Sequence, residues 1–181
     1  MVLIATDDAA YVLQHDVVGT AQALAMGKGN AEEGIDGSFD LLYEFNEKVT
    51  SGKWVGDCFL FTNSQGRLNY SVSGQIQTLV HLETSSGGST VHSILGYLAK
   101  EDRVFLVDKA MNITSYKIML AMLQYQTAVV RGDFDAANEL LPMIPETEYL
   151  VVAKFLEAQG FKEEVRACGG GGVTGAKERT A

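Results

Sequence analysis

Trp54-Val55-Gly56-Asp57-Cys58-Phe59-Leu60-Phe61-Thr62-Asn63-Ser64-Gln65-Gly66-Arg67-Leu68-Asn69-Tyr70-Ser71-Val72-Ser73-Gly74 is the stretch that sets the fold class. From Trp54 to Thr62 the residues are mostly aromatic, aliphatic or β-branched, which suits a buried strand. Asn63-Ser64-Gln65-Gly66 carries turn chemistry, Leu68, Tyr70 and Val72 then alternate, and Ser73-Gly74 turns the chain again. Ile76, Thr78, Val80 and Leu82 repeat the alternation. Beyond a Ser/Gly loop at 85–89, residues 94–98 and 104–107 predict two more strands, and 113–116 a sixth. Short strands punctuated this often specify an antiparallel sandwich, barrel or propeller. With four strands to a propeller blade, six strands amount to about one to two blades.

Working outward, Val2-Leu3-Ile4-Ala5 and Tyr11-Val12-Leu13 flank the turn-like Asp7-Asp8 and predict two short strands. Residues 26–38, with Gly27, Gly29, Gly34 and Gly37 among Asn and Glu, read as a loop. Phe39, Leu42, Phe45 and Val49 recur at helical spacing. Ser38 or Asp36 is placed to cap, Lys48 falls in the last turn and Gly52 stops the pattern. This predicts a helix inserted near 38–51.

At Ser115 the period changes. Ile118, Met119, Met122, Leu123, Tyr125, Val129 and Val130 make a broad apolar surface, with Lys117, Gln124 and Arg131 on one narrow polar stripe. A helix of that kind is packed on several sides. Gly132 ends it and Asp133 caps the next, on which Phe134, Ala137 and Leu141 share a face. Pro145 opens a third helix with Tyr149, Val152, Ala153 and Leu156 buried, Gly160 stops it, and Phe161 packs back. A fourth helix is expected over 162–167. Helix pairs in this succession read as the start of an α-solenoid of tetratricopeptide-like repeats. Two pairs cannot bury their own apolar faces, so the sequence is expected to be an excerpt of a longer protein. The glycine-rich tail at 168–181 has no periodicity and is expected to be disordered. The organisation expected is therefore a partial β-propeller region at 1–115, the start of a solenoid at 116–167, and that tail.

The composition is globular: 181 residues, 46% hydrophobic and 20% charged, which excludes a wholly disordered chain. The net charge of −9 has the wrong sign for phosphate neutralisation, and no basic stretch is interleaved with aromatics, so nucleic acid is not an expected partner. Most of the acidity lies in residues 1–50, where nine carboxylates face Lys28 and Lys48. Such a segment suits a basic partner, although a solvated acidic loop is the simpler account. Cys58 and Cys168 are too few and too far apart for a disulfide framework or a zinc module. No secretory signal or membrane-length apolar run is visible, so a cytoplasmic setting is expected, and the glycosylation-like Asn69-Tyr70-Ser71 and Asn112-Ile113-Thr114 carry little meaning.

Chemistry has few candidates. His15, His81 and His92 have no helical ligand spacing, and no metal is expected. Cys58, beside Asp57, is the one candidate nucleophile, but its apolar run reads as buried strand. Gly170 and Gly175 lack a phosphate-loop lysine at Ala176, and Gly27-Lys28-Gly29 lacks a third glycine at Glu32. Glu146/Glu148 and Glu163/Glu164 open helices, where they favour the helix dipole. No catalytic, cofactor-binding or metal-binding residue and no small-molecule substrate are assigned.

Longer strings resemble a known family. Residues 52–62 with Arg67-Leu68-Asn69-Tyr70, residues 102–108 with 112–116, and residues 123–129, 131–134, 140–145 and 152–162 are similar to the beta-prime family of coatomer, the COPI vesicle coat. The similarity runs over about 1–167. It implies the end of the second of two WD-repeat propellers and the first helices of the following α-solenoid, in a region without the Trp-Asp dipeptide. It also implies a structural, non-enzymatic role in Golgi-to-ER and intra-Golgi transport, packing with other coatomer subunits, above all the alpha subunit. Localisation would be peripheral, on Golgi and COPI-vesicle membranes through the assembled coat. The cargo-recognising first propeller of the family has no counterpart here, so no cargo-binding residue carries over. The Ser/Gly loop at 85–90 is longer than the family pattern, and the resemblance stops after Ala167. Two alternatives from other classes are a small cytosolic hydrolase using Cys58 and a stand-alone helical-repeat scaffold.

Overall fold

Hairpins dominate the first two thirds of the chain because turn residues recur faster than a helix could form. The computed structural model describes residues 1–30, 32–82 and 91–161, and all counts below are of these. Ten strands form three antiparallel sheets. The first contains β1 (Val2–Ala5), β2 (Ala10–His15) and β3 (Phe39–Phe45) in that order, with helix α1 (Val17–Ala25) between β2 and β3. The second is a four-stranded meander of β4 (Val49–Val55), β5 (Cys58–Asn63), β6 (Arg67–Val72) and β7 (Gln75–His81). The third joins β8 (Ser93–Leu98), β9 (Arg103–Val107) and β10 (Ile113–Lys117). The second sheet thus has the four strands of one propeller blade, flanked by sheets of three.

The sheets stack through their apolar faces. Ala10, Val12 and Phe45 of the first sheet meet Phe59 and Phe61 of the second in one buried cluster, with Phe45 and Phe61 stacked at 5.4 Å. Offset aromatic packing of this kind adds to the area term. All six residues of β5 are buried, as befits a central strand covered on both faces. The third sheet docks on the second through polar bonds as well. The Thr62 hydroxyl donates to the His92 carbonyl at 2.7 Å, and the Ile94 amide donates to Ser51 Oγ at 2.9 Å.

Two expectations fail in this unit. The helix near 38–51 does not form: residues 39–45 are β3 and residues 49–55 are β4. Opposite Val12 and Leu13, β3 carries a bulge at Leu42, which shifts the alternation by one residue. The shifted phase makes Phe39, Leu42 and Phe45 mimic a helical period, while the ladder to β2 satisfies the backbone as strand. The single run from Trp54 to Thr62 is two strands, because Gly56 at φ 60° closes a tight turn between Val55 and Cys58.

The chain divides into two units after Tyr116. In the second, α2 (Leu120–Val130) buries Met122, Leu123, Tyr125, Gln126, Ala128 and Val129, and packs on α3 (Phe134–Leu140) and α4 (Tyr149–Gln159). The breadth of its apolar surface is matched by burial on several sides. Asp133 caps α3 by accepting from the Ala136 amide at 3.1 Å. Pro142 lies in a short 3-10 turn, and Glu146–Glu148 form another, which leads into α4. Val152, Phe155 and Leu156 are buried on α4, and Gly160 terminates it in the left-handed region at φ 89°. Phe161 then packs its ring edge-on against Phe134 at 5.1 Å. The expected helix at 162–167, the Ser/Gly loop at 85–89 and the tail at 168–181 lie outside the described residues.

Candidate functional site

Cys58 opens the central strand β5 and is 1% exposed. Burial pushes its thiol up to about 12, so near neutral pH it is almost entirely protonated. Tyr43 and Tyr97, the side chains electrostatically coupled to it, are raised as well, chiefly by burial. A nucleophilic cysteine needs a depressed pKa and a base within reach. The hydrolase alternative is therefore overturned: Cys58 is a core residue.

The histidines are placed apart. His15 is exposed, with its Nε2 3.2 Å from the Thr20 hydroxyl and its ring against Phe39. His81 ends β7 opposite Arg67. His92 is buried and uses its carbonyl to receive Thr62. Among the described residues no three His, Cys, Asp or Glu side chains form a group able to hold a metal. Gly27-Lys28-Gly29 follows α1 as an exposed loop, and Glu146 and Glu148 stand in their turn before α4. Glu163, Glu164, Gly170 and Gly175 lie outside the described residues.

What the first unit does present is surface. The strand register places Val2, Leu13 and Leu41 in one row across the first sheet, on the face turned away from the Ala10–Val12–Phe45 core. Ile4 and Tyr11 form the next row, and Phe39 pairs with His15 at the end. Val2 is 43%, Ile4 50%, Leu41 56% and Phe39 49% exposed. A sheet apolar on both faces is made to be covered on both. The chemistry available is therefore that of a packing surface: area removed from water, aligned by strand direction. Sequence reasoning missed this face because the helix expected over 38–51 took Phe39 and Leu42 out of the sheet.

Comparison with known proteins agrees with this architecture. A family model described as the COPA/B second beta-propeller matches residues 1–108, and one described as the COPA/B TPR domain matches residues 125–167. The coatomer subunit beta'-2 of Oryza sativa subsp. japonica is 45% identical over 164 residues, which are 91% of this chain and 17% of that protein. The probable coatomer subunit beta' of Caenorhabditis elegans is 44% identical over 167 residues, 92% of this chain and 16% of that protein. The coatomer subunit beta' of Drosophila melanogaster is 43% identical over 164 residues, 91% of this chain and 17% of that protein. The chain spans about one sixth of the length of these curated relatives.

Proposed function

This chain belongs to the COPA/B second beta-propeller family, and from that premise we propose that it is a structural part of a COPI vesicle coat, acting by protein–protein packing. The observation that carries the reading is the order of its two units: strands matching the family's propeller model, then helices matching its TPR model. The uncovered apolar face of the first sheet supports it, since a packing surface is what a coat component needs. The relatives named as coatomer beta' subunits support other coatomer subunits as partners, and within this reading the alpha subunit is the neighbour of the helical unit. Membrane association would then be peripheral, on Golgi and vesicle membranes, through the coat. No helix among the described residues is long and apolar enough to cross a membrane.

The test is affinity purification of the protein carrying this sequence, tagged in its own cells. Recovery with the other coatomer subunits in near-stoichiometric amounts, including the alpha subunit, is the expected result. Recovery free of them overturns the coat reading, and recovery with the coat but without direct cross-links to alpha overturns only the assignment of that neighbour.

A further inference from the structure

Helix α1 is amphipathic the wrong way round. At 100° per residue, Val17, Val18, Ala21, Leu24 and Ala25 fall within one contiguous face. All five are exposed, Val17 by 65%, Val18 by 67% and Leu24 by 53%. The small residues Gly19, Thr20 and Ala23 are the half-covered ones. An ordinary surface helix turns its apolar stripe to the core and its small or polar face to water. Here the helix is tied down at its N-terminal end instead. Asp16 caps it by accepting from the Gly19 amide at 2.9 Å, and the Asp16 amide donates to the Ser38 carbonyl at 2.9 Å. No described residue from Gln14 to Leu42 is buried, across the end of β2, helix α1, the turns that follow it and the start of β3. A nine-residue helix gains little from propensity alone, so an outward apolar stripe is a surface waiting for cover.

The charge around it specifies the cover. The loop that returns from α1 to β3 carries Glu32, Glu33 and Asp36, and β3 adds Asp40 at its start, against the one cation Lys28. Asn30 organises this loop, accepting from the Glu32 and Glu33 amides and donating to the Glu33 carboxylate, each at 2.9 Å. A groove of ≈ 440 Å³ runs beside the helix, with Leu24, Ile35 and Phe39 in its walls. We propose that the α1 stripe and this groove dock a basic amphipathic helical segment of a partner protein, with its apolar face on Val18 and Leu24 and its Lys or Arg residues towards Glu32 and Asp36. A second copy of this chain, itself at −9, and an anionic lipid surface both meet repulsion at the same carboxylates. The inference goes beyond the coat reading and does not depend on it.

The probe is a synthetic helical peptide of leucine and lysine, about 14 residues or four turns long, titrated against the whole chain and followed by amide chemical shifts. A leucine–glutamate peptide of the same pattern, and vesicles with and without phosphatidylserine, are the controls. The lysine peptide should bind saturably, move the amides of residues 16–40, and weaken as salt rises. The Val18→Glu/Leu24→Glu variant changes only exposed side chains, so it should keep the wild-type thermal transition while losing roughly tenfold or more in affinity. Glu32→Lys/Asp36→Lys should lose a similar factor and gain affinity for the glutamate peptide. Equal binding of both peptides, unchanged affinity in either variant, preference for vesicles, or a chain dimer abolished by Val18→Glu/Leu24→Glu would each overturn the proposal. Since none of these readouts involves coat subunits, its failure is distinct from failure of the affinity purification.

Discussion

Asn63 organises the turn after the central strand. Its Oδ1 accepts from the Gln65 and Arg67 amides at 3.1 and 2.9 Å, and its Nδ2 donates to the Glu47 carboxylate at 2.8 Å. Asn63 itself is 1% exposed, whereas Gln65 is exposed and Glu47 and Arg67 are half-buried. Asn63→Ala should cost about 1–3 kcal/mol for the three part-buried hydrogen bonds it removes, read as a lower midpoint in urea with an unchanged slope. Asn63→Asp keeps the acceptor for both amides but sets a second carboxylate against Glu47, so it should destabilise as well, least at acid pH. Cys58 gives a second expectation at this scale. In a Cys168→Ser background, iodoacetamide should label the native chain only as fast as it unfolds, because a thiol 1% exposed and raised to about 12 offers almost no thiolate. Rapid labelling of folded protein would contradict that placement. The asparagine turn was legible in the sequence as Asn63-Ser64-Gln65-Gly66, but its reach to Glu47 was not, since nothing local brings a residue 16 positions earlier against it.

Among the elements, the β4–β5 hairpin holds a close approach between a glycine and a ring. Gly52 lies opposite Phe61 across the hairpin, and a Cβ built there would overlap the ring of Phe59, which is itself buried and wedged beside Trp54 and Phe61. Gly52→Ala should cost about 1–3 kcal/mol by forcing that ring out of place, and Phe59→Leu in the same chain should recover part of the loss, which a thermal melt of the pair would show. Gly52 stood in the sequence as the stop of a helix, where its role is close approach in a strand. The misreading has a local cause. A bulge at Leu42 puts the apolar residues of β3 out of step with a period of two, and only pairing with β2 restores the register. Helix α1 escaped notice for the opposite reason. Its signals were local and present, Asp16 as the cap and Val17, Val18, Ala21, Leu24 and Ala25 at helical spacing, and only the structure shows that this stripe faces away from the core.

For the whole molecule, alkaline pH and exposed apolar area set the limits. A thiol that titrates near 9 when unfolded and about 12 when folded favours the folded state most below pH 9. That stabilisation is lost as pH climbs from 9 towards 12, by up to about 1.4 kcal/mol per unit. Tyr43 and Tyr97 are raised in the same direction, so stability should fall across this alkaline window, and replacing Cys58 by Ala should flatten the early part of the fall. The uncovered face of the first sheet predicts association of the isolated chain: light scattering should rise with protein concentration and with salt, which screens the −9 charge. Ile4→Lys/Leu41→Lys should suppress it, and a monodisperse chain at high salt would count against that face being sticky. Sequence by itself determined the strands near residues 2–5 and from Leu68 to Tyr116, the later helices with the Asp133 cap and the Gly160 stop, and the core character of Cys58, because those follow from residue periods and propensities acting over a few positions. Tertiary structure alone decided that residues 39–45 and 49–55 are strands, that Val2, Ile4, Leu41 and Phe39 share one open face, and that α1 turns its apolar side outward, because each depends on which partner strand or sheet supplies hydrogen bonds and cover from far along the chain.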